Sequence, residues 1–166
     1  VKTYDFDFIR NIKKDNPVIV MLDHLEDPHN FGAIIRTCEC AGVHGVIIPE
    51  NRACEVNNTV YKTSAGAIVH MPVVMVTNLT RTINELKKQN IWVTGADASG
   101  DKELYDADLK GAVAIVIGSE GEGISRLVLE KCDFKVKIPM KGNVNSLNAS
   151  VAAALFIYEV VRQGRN

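Results

Sequence analysis

Six short runs rich in Val and Ile alternate with stretches of helical periodicity, and this alternation limits the chain's possible folds more than any other feature. The apolar runs lie at 18–22, 45–48, 69–74, 91–96, 112–117 and 134–138. Helical patterns lie at 31–41, about 59–65, 79–89, 124–131 and 146–162. Strands that are apolar on nearly every residue are covered on both faces. Their alternation with helices therefore predicts an α/β fold: a mostly parallel, six-stranded open sheet with helices on both faces. The stretch 98–110 interrupts the alternation and reads as a surface loop. Residues 1–16 carry Arg10, Lys13 and Lys14 and read as an N-terminal linker or short helix, leaving 17–166 as one domain.

The terminal helical pattern is unusual because it is apolar almost all round. Val151, Leu155 and Tyr158 share one face, while Phe156, Ile157 and Val160 fall on others, so burial against more than one partner is expected. Its first turn is polar instead. Asn145, Ser146 and Asn148 crowd donors and acceptors where free backbone N–H groups already point outward. Capping accounts for one of them. It gives no reason for Asn148 if that residue lies inside the helix.

Ligands of open α/β sheets bind beyond the carboxyl ends of the strands. That directs attention to the loops 23–30, 95–100, 118–123 and 141–145. The first lacks the glycine pattern that lets a backbone cradle a pyrophosphate, and Asp23, Glu26 and Asp27 would repel phosphate. A nicotinamide oxidoreductase on an ordinary doubly wound sheet is thereby disfavoured. Asn30 opens the following helix, either as a cap or as a functional group. Arg36 further on has two readings as well: a surface pair with Glu39, or a partly buried guanidinium aimed at an anion.

The loop Gly118-Ser-Glu-Gly-Glu-Gly suits a ligand bearing positive charge or hydroxyls, because Glu120 and Glu122 make a poor phosphate cradle. Its glycines permit close backbone approach to a flat group. S-adenosyl-L-methionine has these properties: a nucleoside, a sulfonium cation and no phosphate. The histidines (His24, His29, His44, His70) show no spacing that argues for a metal or a catalytic dyad and read as structural or exposed. Cys38, Cys40, Cys54 and Cys132 lack zinc-like spacing and read as buried, reduced thiols. No metal is expected. Reduced thiols fit a cytoplasmic protein, and no apolar run is long enough to span a membrane. A net charge of −1 shows none of the basic excess of a dedicated nucleic-acid binder.

Three segments together resemble the SpoU (TrmH) family of RNA ribose 2′-O-methyltransferases, of the SPOUT superfamily. They are Asp27-Pro-His-Asn-Phe-Gly-Ala-Ile-Ile-Arg-Thr, then Ile117-Gly-Ser-Glu-Gly-Glu-Gly-Ile-Ser, then Ile138-Pro-Met-x-Gly-x-x-x-Ser-Leu-Asn-Ala-Ser-Val-Ala. Ser64-Ala-Gly-Ala and the stretch 42–49 are similar to the branch that methylates a guanosine of 23S ribosomal RNA. The resemblance covers about 17–162. It implies S-adenosyl-L-methionine as methyl donor, RNA as partner, a homodimer with an active site drawn from both subunits, and a C-terminal deep trefoil knot. It also implies that 17–166 is the catalytic domain. Carried over residue by residue, Asn30, Arg36, Glu120, Ser146 and Asn148 become the catalytic candidates. Gly118, Ile138 and Leu147 would line the cofactor site with Gly95, Gly121 and Met140.

Relatives in that branch often carry an N-terminal RNA-binding module. The Val at position 1 and the scarcity of basic residues over 51–58 suggest a catalytic domain separated from such a module. In the implied chemistry, Arg36 stabilises the developing alkoxide and cannot itself act as base, since a guanidinium stays protonated. The proton would leave to phosphate or water. Two other readings keep the fold and change the function: the same reaction on transfer RNA, or a non-catalytic RNA-binding module.

Overall fold

The computed structural model describes residues 2–50 and 58–164; Cys54 and nearly all of the base-poor stretch 51–58 lie outside these. Among the described residues the sheet has eight strands rather than the six expected. They are β1 (Thr3–Tyr4), β2 (Val18–Asp23), β3 (Gly45–Pro49), β4 (Val73–Val76), β5 (Trp92–Ala96), β6 (Lys102–Glu103), β7 (Val113–Gly118) and β8 (Phe134–Lys137). Their spatial order is β1-β4-β3-β2-β7-β5-β8-β6. Each adjacent pair is parallel.

The two unforeseen strands are two-residue edges, too short to carry any periodicity. They change the reading of two segments. Residues 2–16 contribute β1 and α1 (Asp7–Arg10), and Ile9 is buried against the sheet, so this stretch is built into the domain. The stretch 98–110 forms β6 and a 3-10 turn, and Leu104, Ala107 and Leu109 are buried, so it is not merely a surface loop.

The remaining helices are α2 (Pro28–Ala41), α3 (Asn58–Thr63), α4 (Leu79–Lys88), α5 (Arg126–Lys131) and α6 (Ala149–Gln163). Alternation along the strands divides the core in two. Val20, Leu22, Val46, Ile48, Ile115 and Ile117 face α2 and α6, with Ile34, Ile35, Phe156 and Ile157. Ile19, Met21, Ile47, Ala114 and Val116 face α4 and α5, with Ile83, Leu86 and Val128. Both sheet faces are thus covered, which is why the strands are apolar throughout.

Local chemistry sets the helix ends. Asp27 caps α2 by accepting from the His29 N–H at 2.9 Å, Pro28 occupies the first turn, and Gly42 ends the helix at φ 79°. A Cβ on Gly32 would lie 1.8 Å from Thr63 Oγ1, so α2 and α3 approach closely there only because that side chain is missing. The apolar run at 69–74 divides differently from expectation: Ala67–Val69 is a 3-10 turn and β4 begins at Val73, just after Pro72. Proline cannot donate to a ladder, and it sits where a strand can start.

Candidate active site

The strand order reverses direction between β2 and β7, where chain neighbours lie on opposite sides. Such a switch point leaves a crevice at the carboxyl ends of the strands. A cavity of 630 Å3 opens beside it. Ala96 to Ala98 at the end of β5, Ile117 to Gly123 at the end of β7, Val136 to Met140 at the end of β8 and the residues entering α6 form its walls. A second cavity, of 480 Å3, lies on the other side of the Glu120 turn between that turn and the β2–α2 loop.

Glu120 is the link between them. Its Oε1 accepts from Asn30 Nδ2 at 2.9 Å, from Asn148 Nδ2 at 2.8 Å and from the Ala149 N–H at 3.3 Å. One carboxylate oxygen thus joins the start of α2, the β7–α5 turn and the start of α6. These three residues are far apart in sequence, and the switch point brings them together.

Helix α6 begins three residues later than its pattern suggested. Asn148 is its N-cap, accepting from the Ser150 N–H at 2.8 Å while its amide group donates to Glu120. Capping therefore does account for Asn148, contrary to the expectation that it lay inside the helix. The opposite end of the same side chain is free to engage Glu120. Ser146 and Leu147 precede the helix, are exposed, and line the larger cavity with Ile138, Met140, Gly118 and Gly121.

The glycines of the turn serve the turn itself. A Cβ on Gly118 would sit 2.1 Å from the Gly123 carbonyl carbon, because the loop folds back to pair Ser119 with Gly123. Gly121 and Gly123 adopt φ of 80° and 68°, the left-handed region that favours glycine. The Gly123 N–H donates to the Ser119 carbonyl at 2.8 Å. This tight arch presents Glu120. Sequence reasoning gave these glycines to a flat ligand; at Gly118 the close neighbour is the loop's own backbone.

Two candidates stand apart. Gly95 does not line the cavity. A Cβ there would meet Leu129 Cδ1 at 3.0 Å and Cys132 Sγ at 3.1 Å, so its small size admits α5 to the sheet. Arg36 is exposed rather than partly buried, and among the described residues it has neither the Glu39 pair nor any other ion pair. Asn30, about 1.7 turns earlier on α2, lines the second cavity.

Two of the thiols are poor nucleophiles. Burial pushes the Cys38 thiol well up and that of Cys132 up to about 12. Cys40 is exposed, against the expectation that it was buried. Among the described residues no group of three or more His, Cys, Asp or Glu side chains is gathered to hold a metal. Nor is any helix among them long and apolar enough to cross a membrane.

The sequence set Asp23 against phosphate and left His24 as structural or exposed; the structure pairs them. Asp23 is 2% exposed; its Oδ2 accepts the Ser125 N–H at 2.7 Å, and its Oδ1 lies 2.5 Å from His24 Nδ1. His24 borders the second cavity with Asn30 and Glu120. The signal available was local: a carboxylate and an imidazole adjacent at the carboxyl end of a central strand.

The model of the SpoU rRNA Methylase family matches residues 17–158. YacO of Bacillus subtilis, placed by its name in the TrmH family of tRNA/rRNA methyltransferases, is 54% identical over 151 residues, covering 91% of this chain and 61% of that protein. The crystal structure of the SpoU methyltransferase AviRb from Streptomyces viridochromogenes, in complex with AdoMet, superimposes with a TM-score of 0.89 at 31% identity, over 99% of this chain and 64% of AviRb. The A. aeolicus TrmH/SpoU tRNA modifying enzyme gives a TM-score of 0.82 at 29% identity, over 91% of this chain and 77% of that one. The chain spans less than two thirds of the length of YacO and AviRb. Motif, fold and family model agree, and the chain belongs to the SpoU rRNA methylase family.

Proposed function

We propose that this chain transfers the methyl group of S-adenosyl-L-methionine to a ribose 2′-hydroxyl of RNA, with a guanosine of 23S ribosomal RNA as its target. The observation that supports this most directly is the Glu120 carboxylate, which holds Asn30 and Asn148 at the junction of two cavities. One cavity suits the methyl donor and the other is left for the acceptor.

The residues of the larger cavity fit the donor. Ile138, Met140 and Leu147 offer apolar cover for a nucleoside, and Glu120 and Glu122 favour a cation over a phosphate. Bound there, S-adenosyl-L-methionine supplies an electrophilic methyl group on a sulfonium. Ser146 and Asn148 orient the reactants, Gly118 and Gly121 shape the wall, and Asn30 faces the acceptor side. Such positioning contributes several kcal/mol, about 7–11 where geometry is near ideal. No metal takes part in this reading.

The homodimer belongs to the same proposal. Val151, Leu155 and Tyr158 are 47%, 36% and 48% exposed along one face of α6, an apolar stripe that a second copy would cover. Exposed Arg36 on neighbouring α2 would then serve the partner's site, binding phosphate and stabilising the developing alkoxide. The deep trefoil knot is likewise proposed, with α6 drawn through the loops that wall the larger cavity. The site of action is the cytoplasm, where the donor and nascent RNA meet.

Labelled-methyl transfer to total RNA, followed by mapping of the modified ribose, tests the reading. A 2′-O-methylguanosine in 23S ribosomal RNA is the expected product. A mark in transfer RNA would change the substrate, a reading to which the likeness to the A. aeolicus tRNA modifying enzyme lends weight. Absence of transfer to any RNA, with the donor bound, would leave an RNA-binding module instead.

A further inference from the structure

We propose that His24 accepts the proton of the ribose 2′-hydroxyl during methyl transfer, the target nucleotide entering the cavity between the β2–α2 loop and the β7–α5 turn. The inference rests on the methyl-transfer reading above and identifies the base which that reading lacks. Arg36 cannot fill the role, because a guanidinium remains protonated at any working pH.

The surroundings of the second cavity narrow the choice. Glu120 Oε1 is already engaged by three N–H donors, and Asp27 Oδ1 caps α2. Glu26 and Glu122 are exposed at the rim. As a class, carboxylates are poorer proton acceptors near neutral pH than an imidazole. His24 is the one imidazole bordering either cavity among the described residues.

Its geometry is held rather than incidental. His24 has φ 60°, a left-handed backbone uncommon outside glycine though more accessible to His than to most residues, at the point where β2 ends. Such conformations persist where the surroundings over-determine them, and they cluster at functional sites. Asp23 is buried and fixed by the Ser125 N–H, so its other oxygen sets the imidazole's orientation. That oxygen lies 2.5 Å from Nδ1, the ring nitrogen to which the carboxylate is tied. His24 keeps a quarter of its side chain exposed, and the cavity it borders shares Ser119, Glu120 and Glu122 with the donor cavity.

The step balances without another reactant. The 2′-oxygen forms a bond to the methyl carbon as the carbon–sulfur pair returns to sulfur, giving S-adenosylhomocysteine. The hydroxyl proton passes to the His24 imidazole. The resulting imidazolium faces Asp23 on its own strand, Glu26 and Asp27 on the following loop, and Glu120 and Glu122 on the β7–α5 turn. These charges stabilise it until the proton passes to water.

The test is single-turnover transfer of labelled methyl to the RNA identified by the mapping, measured from about pH 5.5 to about pH 9 in wild type, His24→Gln and His24→Asn, with donor affinity by calorimetry. The Asn variant tolerates the left-handed backbone, which separates folding from chemistry. Both variants are expected to bind the donor within about twofold of wild type, to slow transfer by about 100-fold or more, and to lose the acid limb of the pH profile. Transfer within about threefold of wild type, or a slowed rate with the acid limb intact, would overturn the assignment of His24. Wild-type protein that binds no donor, or methylates no RNA, would instead overturn the parent reading.

Discussion

Replacing Glu120 tests whether one carboxylate organises the crevice. Its Oε1 meets three N–H donors, from Asn30, Asn148 and the Ala149 backbone, at 2.9, 2.8 and 3.3 Å. Hydrogen bonds to a charged group contribute about 1.5–3 kcal/mol each when sheltered, against about 0.5–1.5 for neutral ones. Glu120 is exposed, so solvent recovers much of that difference. We therefore expect Glu120→Gln to cost on the order of 1–2 kcal/mol in transition-state stabilisation, about 5–30-fold in kcat/KM. Glu120→Ala frees Asn30 and Asn148 together and should cost about 100-fold. The assay is transfer of labelled methyl to RNA, with thermal unfolding alongside. Melting should move by no more than roughly 8 °C, since the bonds lie at the surface. An alanine variant within about threefold of wild-type kcat/KM would refute the hub. So would a loss of activity fully explained by unfolding at the assay temperature.

Gly118→Ala places a methyl group 2.1 Å from the Gly123 carbonyl carbon, where only backbone could yield. Calorimetry should show at least a tenfold weaker donor affinity, and a melting point lowered by roughly 4 °C or more, as an overpacked site costs about 1–3 kcal/mol. His44 governs an acid effect. Its Nδ1 accepts the Val18 N–H at 2.9 Å, and burial, reinforced by Lys14, holds its pKa below the ordinary imidazole value. Its contribution is thus complete above about pH 6.5 and is lost as pH falls through the lowered folded value. Urea unfolding at several pH values should show that slope in wild type and a shallower one in His44→Gln; equal slopes would contradict it. Leu155→Asp puts a charge in the α6 stripe and should convert a dimer to monomer in light scattering; a monomeric wild type would remove the proposed partner. Arg36→Lys keeps charge and loses the planar fork, so both it and Arg36→Ala should slow transfer by about tenfold or more, and near-normal turnover in both would dismiss Arg36.

The architecture was largely legible because each central strand is apolar on both faces, as β2 and β7 are from residue to residue. The edge strands were not, since two residues such as Lys102 and Glu103 leave no periodic trace. Helix α6 was found by composition but misplaced at its start, because Ser146 and Leu147 continue the same pattern without being helical. At the site, Asn30, Glu120 and Asn148 could be named from their motifs, but their convergence on a single oxygen could not. It depends on the strand order between β2 and β7. Gly95 shows a related point: a glycine near the end of a strand serves a ligand or a helix according to which sheet face it occupies, and here Leu129 and Cys132 lie against it. His24 was missed because histidine spacing was judged against other histidines, while its partner is the residue beside it.

Helix α6 packs on α2 and β7, and Gln163 near its end ties back to Ala107 and Leu109 through side-chain hydrogen bonds of 2.8 and 2.7 Å. During synthesis, α2 emerges before α6, while its cover is still unmade. A nascent chain must therefore hold a greasy helix in water until α6 leaves the ribosome. Ribosome-associated chaperones have their clearest opportunity in that interval, and a premature stop anywhere before α6 should yield aggregate instead of a smaller soluble product.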